Sequence, residues 1–178
     1  MVLLISFGFC SSLTFAEKEK KGELLFDARF DRKSKTLVIE IKNLSANRME
    51  FNVESLRNPV LSGRFKYTEK GISRMGGWGS ASSYSLLKDE IKKGRVIILE
   101  PGDSVKEEYK IESWLEDSKV LISNALSSKP EAILAIDIRF LNLIHSIGSI
   151  KEEVYTCGPS MPIGDVSEVW PALIGAPK

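Results

Sequence analysis

Histidine and cysteine are nearly absent from this chain. Its 178 residues hold one histidine, His145, and two cysteines, Cys10 and Cys157. That scarcity excludes the disulfide framework that staples many small secreted domains. It also excludes zinc or copper held by several imidazoles and thiolates, because His145 has no partners to complete a set. A Ser-His-Asp triad would have to use the same histidine, and no Gly-x-Ser-x-Gly elbow precedes a helix. An excess of one charge is missing too: 25 basic residues face 24 acidic ones, interspersed, for a net charge of +1. Such a balance leaves no electrostatic footprint for nucleic acid or an anionic membrane. Long apolar runs are lacking after residue 16, where nothing approaches the ~18 residues of a membrane helix. No membrane insertion of the mature chain is expected, and the sequence carries no internal repeat.

What is present first is a sharp boundary. Residues 1–16, MVLLISFGFCSSLTFA, carry no charge, and Glu17-Lys18-Glu19-Lys20-Lys21 follow at once. The apolar stretch is too short to span a bilayer, and it ends in Thr14-Phe15-Ala16 with small residues at the −3 and −1 positions. This pattern reads as a secretory signal peptide over 1–16, and a secreted or periplasmic location is expected. A buried N-terminal strand is the alternative reading. Processing as a lipoprotein at Cys10 fails, because the residue before it is Phe9. Cleavage after Ala16 leaves Cys157 alone, so the fold must rest on its core. Residues 17–22 are expected to form a charged, solvated leader.

From residue 23 onward the chain reads as short strands separated by turns. Leu24, Phe26, Ala28 and Phe30 alternate with Leu25, Asp27 and Arg29. Leu37, Ile39 and Ile41 alternate with Val38, Glu40 and Lys42, and Met49, Phe51 and Val53 with Glu50, Asn52 and Glu54. Further candidates are 64–68, 95–99, 105–111, 132–141 and 150–156. In the segment 132–141, Leu134, Ile136, Ile138 and Phe140 share one face, while Ala135, Asp137 and Arg139 share the other. Repeated period-two alternation at short spacing marks antiparallel sheets packed face to face. One short helix is expected, capped by Ser118, carrying Leu121, Ile122, Ala125 and Leu126, and stopped by Pro130. An α+β domain with a longer helix over 113–128 on a single sheet is the main contrary case.

Two segments break the pattern. Residues 71–85, GISRMGGWGSASSYS, are rich in Gly and Ser yet hold Met75, Trp78 and Tyr84. Residues 158–178 contain four prolines and no periodicity, and are expected to form an extended tail, with Trp170 and Leu173 able to dock on the body.

Two phrases carry a resemblance. The segment from Thr36 to Ser45, TLVIEIKNLS, is similar to the strand ending in Asn-x-Ser/Thr found in bacterial immunoglobulin-like sandwiches of the cell envelope. Leu99-Glu100-Pro101-Gly102-Asp103-Ser104 resembles their Leu-x-Pro-Gly-x-Ser turn before a long strand. The resemblance covers roughly 23–157 and implies an all-β, immunoglobulin-like antiparallel β-sandwich of seven to nine strands. It also implies binding, assembly or adhesion modules, most without chemistry of their own. As turn chemistry plus alternation, it speaks to fold more than to function.

Candidate sites are few. His145 reads as an exposed loop residue between the last two strands. A strand at ~3.3 Å per residue carries Cys157 roughly 30 Å from that turn, out of reach for a Cys–His pair. Gly76-Gly77-Trp78-Gly79-Ser80 lacks the Gly-Lys-Ser/Thr ending of a phosphate cradle. Asn43-Leu44-Ser45 matches a glycosylation acceptor and reads as a turn. The segment 71–85 reads either as a binding loop or as a hairpin whose aromatics pack back onto the body. If the protein binds a macromolecule, the candidates are Arg74, Trp78 and Tyr84, centred on Trp78. No catalytic, metal or cofactor residue stands out. The leading expectation is a non-enzymatic exported binding or accessory module recognising a protein or cell-envelope component. The alternatives are a carboxylate-based hydrolase or transferase, and a structural subunit assembling through an edge strand or the tail.

Overall fold

The computed structural model describes residues 14–21, 23–79, 95–151 and 158–171. They form three antiparallel four-stranded sheets, so the protein is all-β. Sheet A has the order β1 (Thr14–Lys21), β2 (Leu24–Asp31), β3 (Thr36–Asn43), β8 (Ser104–Lys110). Sheet B runs β11 (Ile150–Lys151), β10 (Ile144–Ile147), β4 (Met49–Asn52), β7 (Val96–Leu99). Sheet C runs β12 (Ser160–Asp165), β9 (Ile133–Arg139), β5 (Val60–Glu69), β6 (Ile72–Gly79).

Alternation places the core where the sequence reading expects it. Leu24, Phe26, Ala28 and Phe30 of β2 are buried, as are Leu37, Ile39 and Ile41 of β3 and Leu134, Ile136 and Ile138 of β9. These side chains join one apolar cluster, and the stacked rings of Phe26 and Phe140, 6.2 Å apart, tie sheet A to the end of β9.

The two phrases behind the resemblance meet in space. Asn43 is fully buried; its Nδ2 donates to the carbonyls of Asn47 (2.9 Å) and Leu99 (3.1 Å), and its Oδ1 accepts from Ser45 N and Oγ. Asn43 is thus a structural strut inside the turn. Asn43 N also donates to Asp103 O at 2.9 Å, and Gly102 N to Asn43 O at 2.9 Å. Gly102 sits at φ 88 behind Pro101, with Asp103 N donating to Glu100 O, so the turn needs the left-handed conformation glycine supplies.

Four expectations are corrected. Residues 17–21 are not a solvated leader but the greater part of β1, paired residue for residue with β2. Alternating Glu and Lys show no apolar face, so periodicity misses a charged edge strand. The expected single short helix is one of three among the described residues: α2 runs Glu112–Leu126, Ser118 lies buried in its middle rather than capping it, and Leu121 is exposed rather than on its buried stripe. Ile111, Leu115, Ile122 and Leu126 are the buried stripe, and Ser118 interrupts it, which makes the serine look like a start. Strand β4 stops at Asn52, whose side chain accepts from Glu54 N and Ser55 N and opens α1 (Val53–Arg57). Finally, the tail is part of the body: β12 pairs with β9, and α3 (Val166–Val169) begins with a capping box from Asp165 and Glu168. Trp170 does dock and is 2% exposed; Leu173 lies outside the described residues.

Candidate interaction surface

The β5–β6 hairpin carries the segment singled out in the sequence. Its register sets Gly63 opposite Trp78, Phe65 opposite Gly76, Lys66 opposite Met75 and Tyr67 opposite Arg74. Arg74, Gly76 and Trp78 therefore share the inner face with Gly63, Phe65 and Tyr67. Each glycine stands across from a large ring because the ring takes its space. A Cβ on Gly63 would overlap the Trp78 indole, and one on Gly76 would overlap the Phe65 ring. Trp78 is 8% exposed and lies 6.4 Å from Phe65, 6.1 Å from Trp114 on α2 and 6.0 Å from Trp170.

These contacts correct the binding-loop reading. Residues 72–79 form a strand, and Trp78 is a core residue that cannot serve as a solvent-facing anchor. Three glycines hide the strand's alternation in the sequence. Arg74 is exposed, as a binding residue must be, and Tyr84 lies outside the described residues. The far end of the hairpin is held by polar contacts. Lys129 pairs with Glu69 at 2.8 Å and sits 5.1 Å over the Tyr67 ring. That hydrogen bond pulls the Glu69 carboxyl below, and the Lys129 ammonium above, their ordinary values.

The outer face of sheet C is the more open surface. Met75, Lys66 and Ile133 lie in one row across β6, β5 and β9. Met75 is 76% and Ile133 53% exposed. Beside them Arg64 pairs with Asp137 at 2.6 Å and also donates to Ser160 Oγ. Sequence reasoning did not select Ile133. The available signal was an apolar residue in register with Ala135, Asp137 and Arg139 on the polar face of its strand.

Sheet A offers a different outer face. A shallow cavity of about 280 Å³ is lined by Asp27, Arg29, Asp31, Val38, Glu40 and Lys106. Register puts Lys18, Asp27, Glu40 and Lys106 in one row across four strands. The charges are spent on each other: Arg29 donates twice to Asp27 at 3.2 Å, Lys18 pairs with Asp27 at 3.3 Å, and Ser104 Oγ donates to Glu40 at 2.6 Å. The Arg29 hydrogen bonds, with help from Lys18, hold the Asp27 carboxyl below the ordinary carboxylate range against the opposing pull of burial. A carboxyl lowered by folding stabilises the protein above its unfolded value, ~4, and loses that contribution as pH falls through the folded value. Urea midpoints for wild type and Asp27→Asn should therefore differ most at pH 7 and converge between about pH 4 and pH 2. A gap that widens on acidification would reject this assignment.

His145 is exposed on β10, beside a register shift between Ile144 and Ser146. Among the described residues, no group of three or more His, Cys, Asp or Glu side chains is placed to hold a metal ion. None of the described helices is long and apolar enough to cross a membrane. Cys10 and Cys157 lie outside the described residues.

No family model matches the chain, and no curated protein matches it. Among solved structures it is similar to a protein from Archaeoglobus fulgidus at 10% identity and a TM-score of 0.30, over 85% of this chain and 94% of that one. A likeness of that size supports no functional reading.

Proposed function

We propose that the protein is an exported, non-enzymatic binding or accessory module that recognises a protein or cell-envelope component, built on an immunoglobulin-like sandwich. The observation that carries the reading is the row Met75–Lys66–Ile133, which presents apolar side chains and one cation on an otherwise polar sheet face. A rigid sheet backed by the Trp78–Trp114–Trp170 cluster loses little entropy when it docks. The charge-free opening at 1–16 supports export. On this face the binding residues are Met75, Lys66 and Ile133; Trp78 is core, and Arg74, although exposed, projects from the opposite face of β6.

The test is capture of a partner from envelope extract, followed by titration of the two purified proteins. Ile133→Glu should weaken binding at least tenfold, since interface anchors are worth ~2 kcal/mol or more. Its melting temperature should change by no more than about 2 °C, because the substituted side chain is exposed. Unchanged affinity would take the site away from this face. Robust turnover of a glycan, ester or peptide, abolished by one carboxylate substitution, would overturn the non-enzymatic reading altogether.

A further inference from the structure

Among the described residues six strands end the three sheets, and five of them are protected. β1 and β12 lie against each other, with Ser160 N donating to Glu19 Oε2 at 3.2 Å. β11 has two described residues and β7 has four. β8 alternates exposed Lys106, Glu108 and Lys110, with Lys106 and Glu108 paired at 3.4 Å. Short edges and charged edges are the usual devices against unwanted strand pairing.

β6 has none of them. It is eight residues long, carries no proline and a single charge, Arg74, and holds three glycines. Residues 72–75, 77 and 79 are exposed. Among the described residues, no backbone group beyond β5 pairs with it. A long, nearly uncharged edge of this kind is a template for another strand.

We propose that β6 pairs antiparallel with β6 of a second copy of this chain, joining two four-stranded sheets into one of eight strands about a two-fold axis at Gly76. The strand is self-complementary in that register. Met75 projects from the outer face, and the next outer-face position is the bare Gly77. Centring on Gly76 sets each Met75 opposite Gly77 of the other copy, so a knob meets a gap twice, as an isologous interface requires. The two Arg74 side chains then fall roughly 13 Å apart at ~3.3 Å per residue, beyond the ~8 Å screening length of physiological salt. Centring on Met75 would force the two methionines together, and centring on Gly77 would engage fewer residues of the strand. A net charge of +1 puts no general repulsion in the way.

The inference goes beyond the binding role proposed above, and the Ile133→Glu titration tests that role independently. The experiment here is light scattering on the full chain from about 1 to 100 µM, with hydrogen exchange read at both ends of the range. The expected result is a concentration-dependent dimer, with β6 amides slowed at high concentration. Met75→Lys should raise the dimer dissociation constant at least tenfold while its melting temperature at low concentration stays near that of wild type. Val96→Lys, on the short edge β7, should leave the dimer intact. A monomer at 100 µM overturns the proposal. So does a dimer indifferent to Met75→Lys, or one in which exchange across 72–79 does not change with concentration.

Discussion

Trp78→Ala should lower the melting temperature by on the order of 10 °C. The indole is 8% exposed and packed against Phe65, Trp114 and Trp170. Replacing a buried Phe or Trp by Ala costs ~3–5 kcal/mol, and each kcal/mol is worth ~2–4 °C in a chain of this size. The cavity would open between β6, α2 and the residue after α3, so three distant segments lose a shared partner. Trp78→Phe should cost much less, since it keeps most of the ring volume. It also removes little hydrogen bonding: among the described residues the Trp78 Nε1 has no acceptor. Thermal melts of both variants check this. A shift below about 2 °C for Trp78→Ala would return the tryptophan to the surface and restore the binding-loop reading.

Gly63→Ala should also destabilise, although it only adds one methyl group. Its Cβ would overlap the Trp78 indole, and that ring cannot retreat because Phe65, Trp114 and Trp170 surround it. Overpacking of this kind costs ~1–3 kcal/mol and occasionally more. The cause is specific, so it can be isolated. In a Trp78→Leu background the clashing ring is gone, and Gly63→Ala should cost under about 1 kcal/mol there. A double-mutant cycle from urea unfolding should return a coupling of ~1–3 kcal/mol. Strictly additive effects would mean that Gly63 is needed for its backbone alone.

The candidate surface was only partly legible in the sequence. The sequence sets 71–85 apart from the strand pattern, whereas 72–79 form β6, and Arg74 is exposed on the inner side of that strand. The error lay in reading Gly as loop flexibility. In this hairpin the glycine at 76 and the one at 63 across the ladder make room for rings. A single strand's sequence cannot show which use of glycine applies, because the ring that needs the space sits on the neighbouring strand.

Alternation by itself determined β2, β3 and β9, the faces they bury and the all-β class. Side chains at i and i+2 share a face whatever lies beyond the strand, so that information is local. The turns at Asn43-Leu44-Ser45 and Pro101-Gly102 were legible for the same reason: a short side chain and a left-handed residue act within a few positions. Tertiary structure alone decided the rest. Trp78 became core because Trp114 arrives from α2 and Trp170 from the C-terminal segment. The charged β1 became a strand because β2 supplied the ladder. The segment 160–169 became part of the body because β9 had an edge to share. Burial and strand pairing at these places depend on partners far along the chain, and no local period reports them.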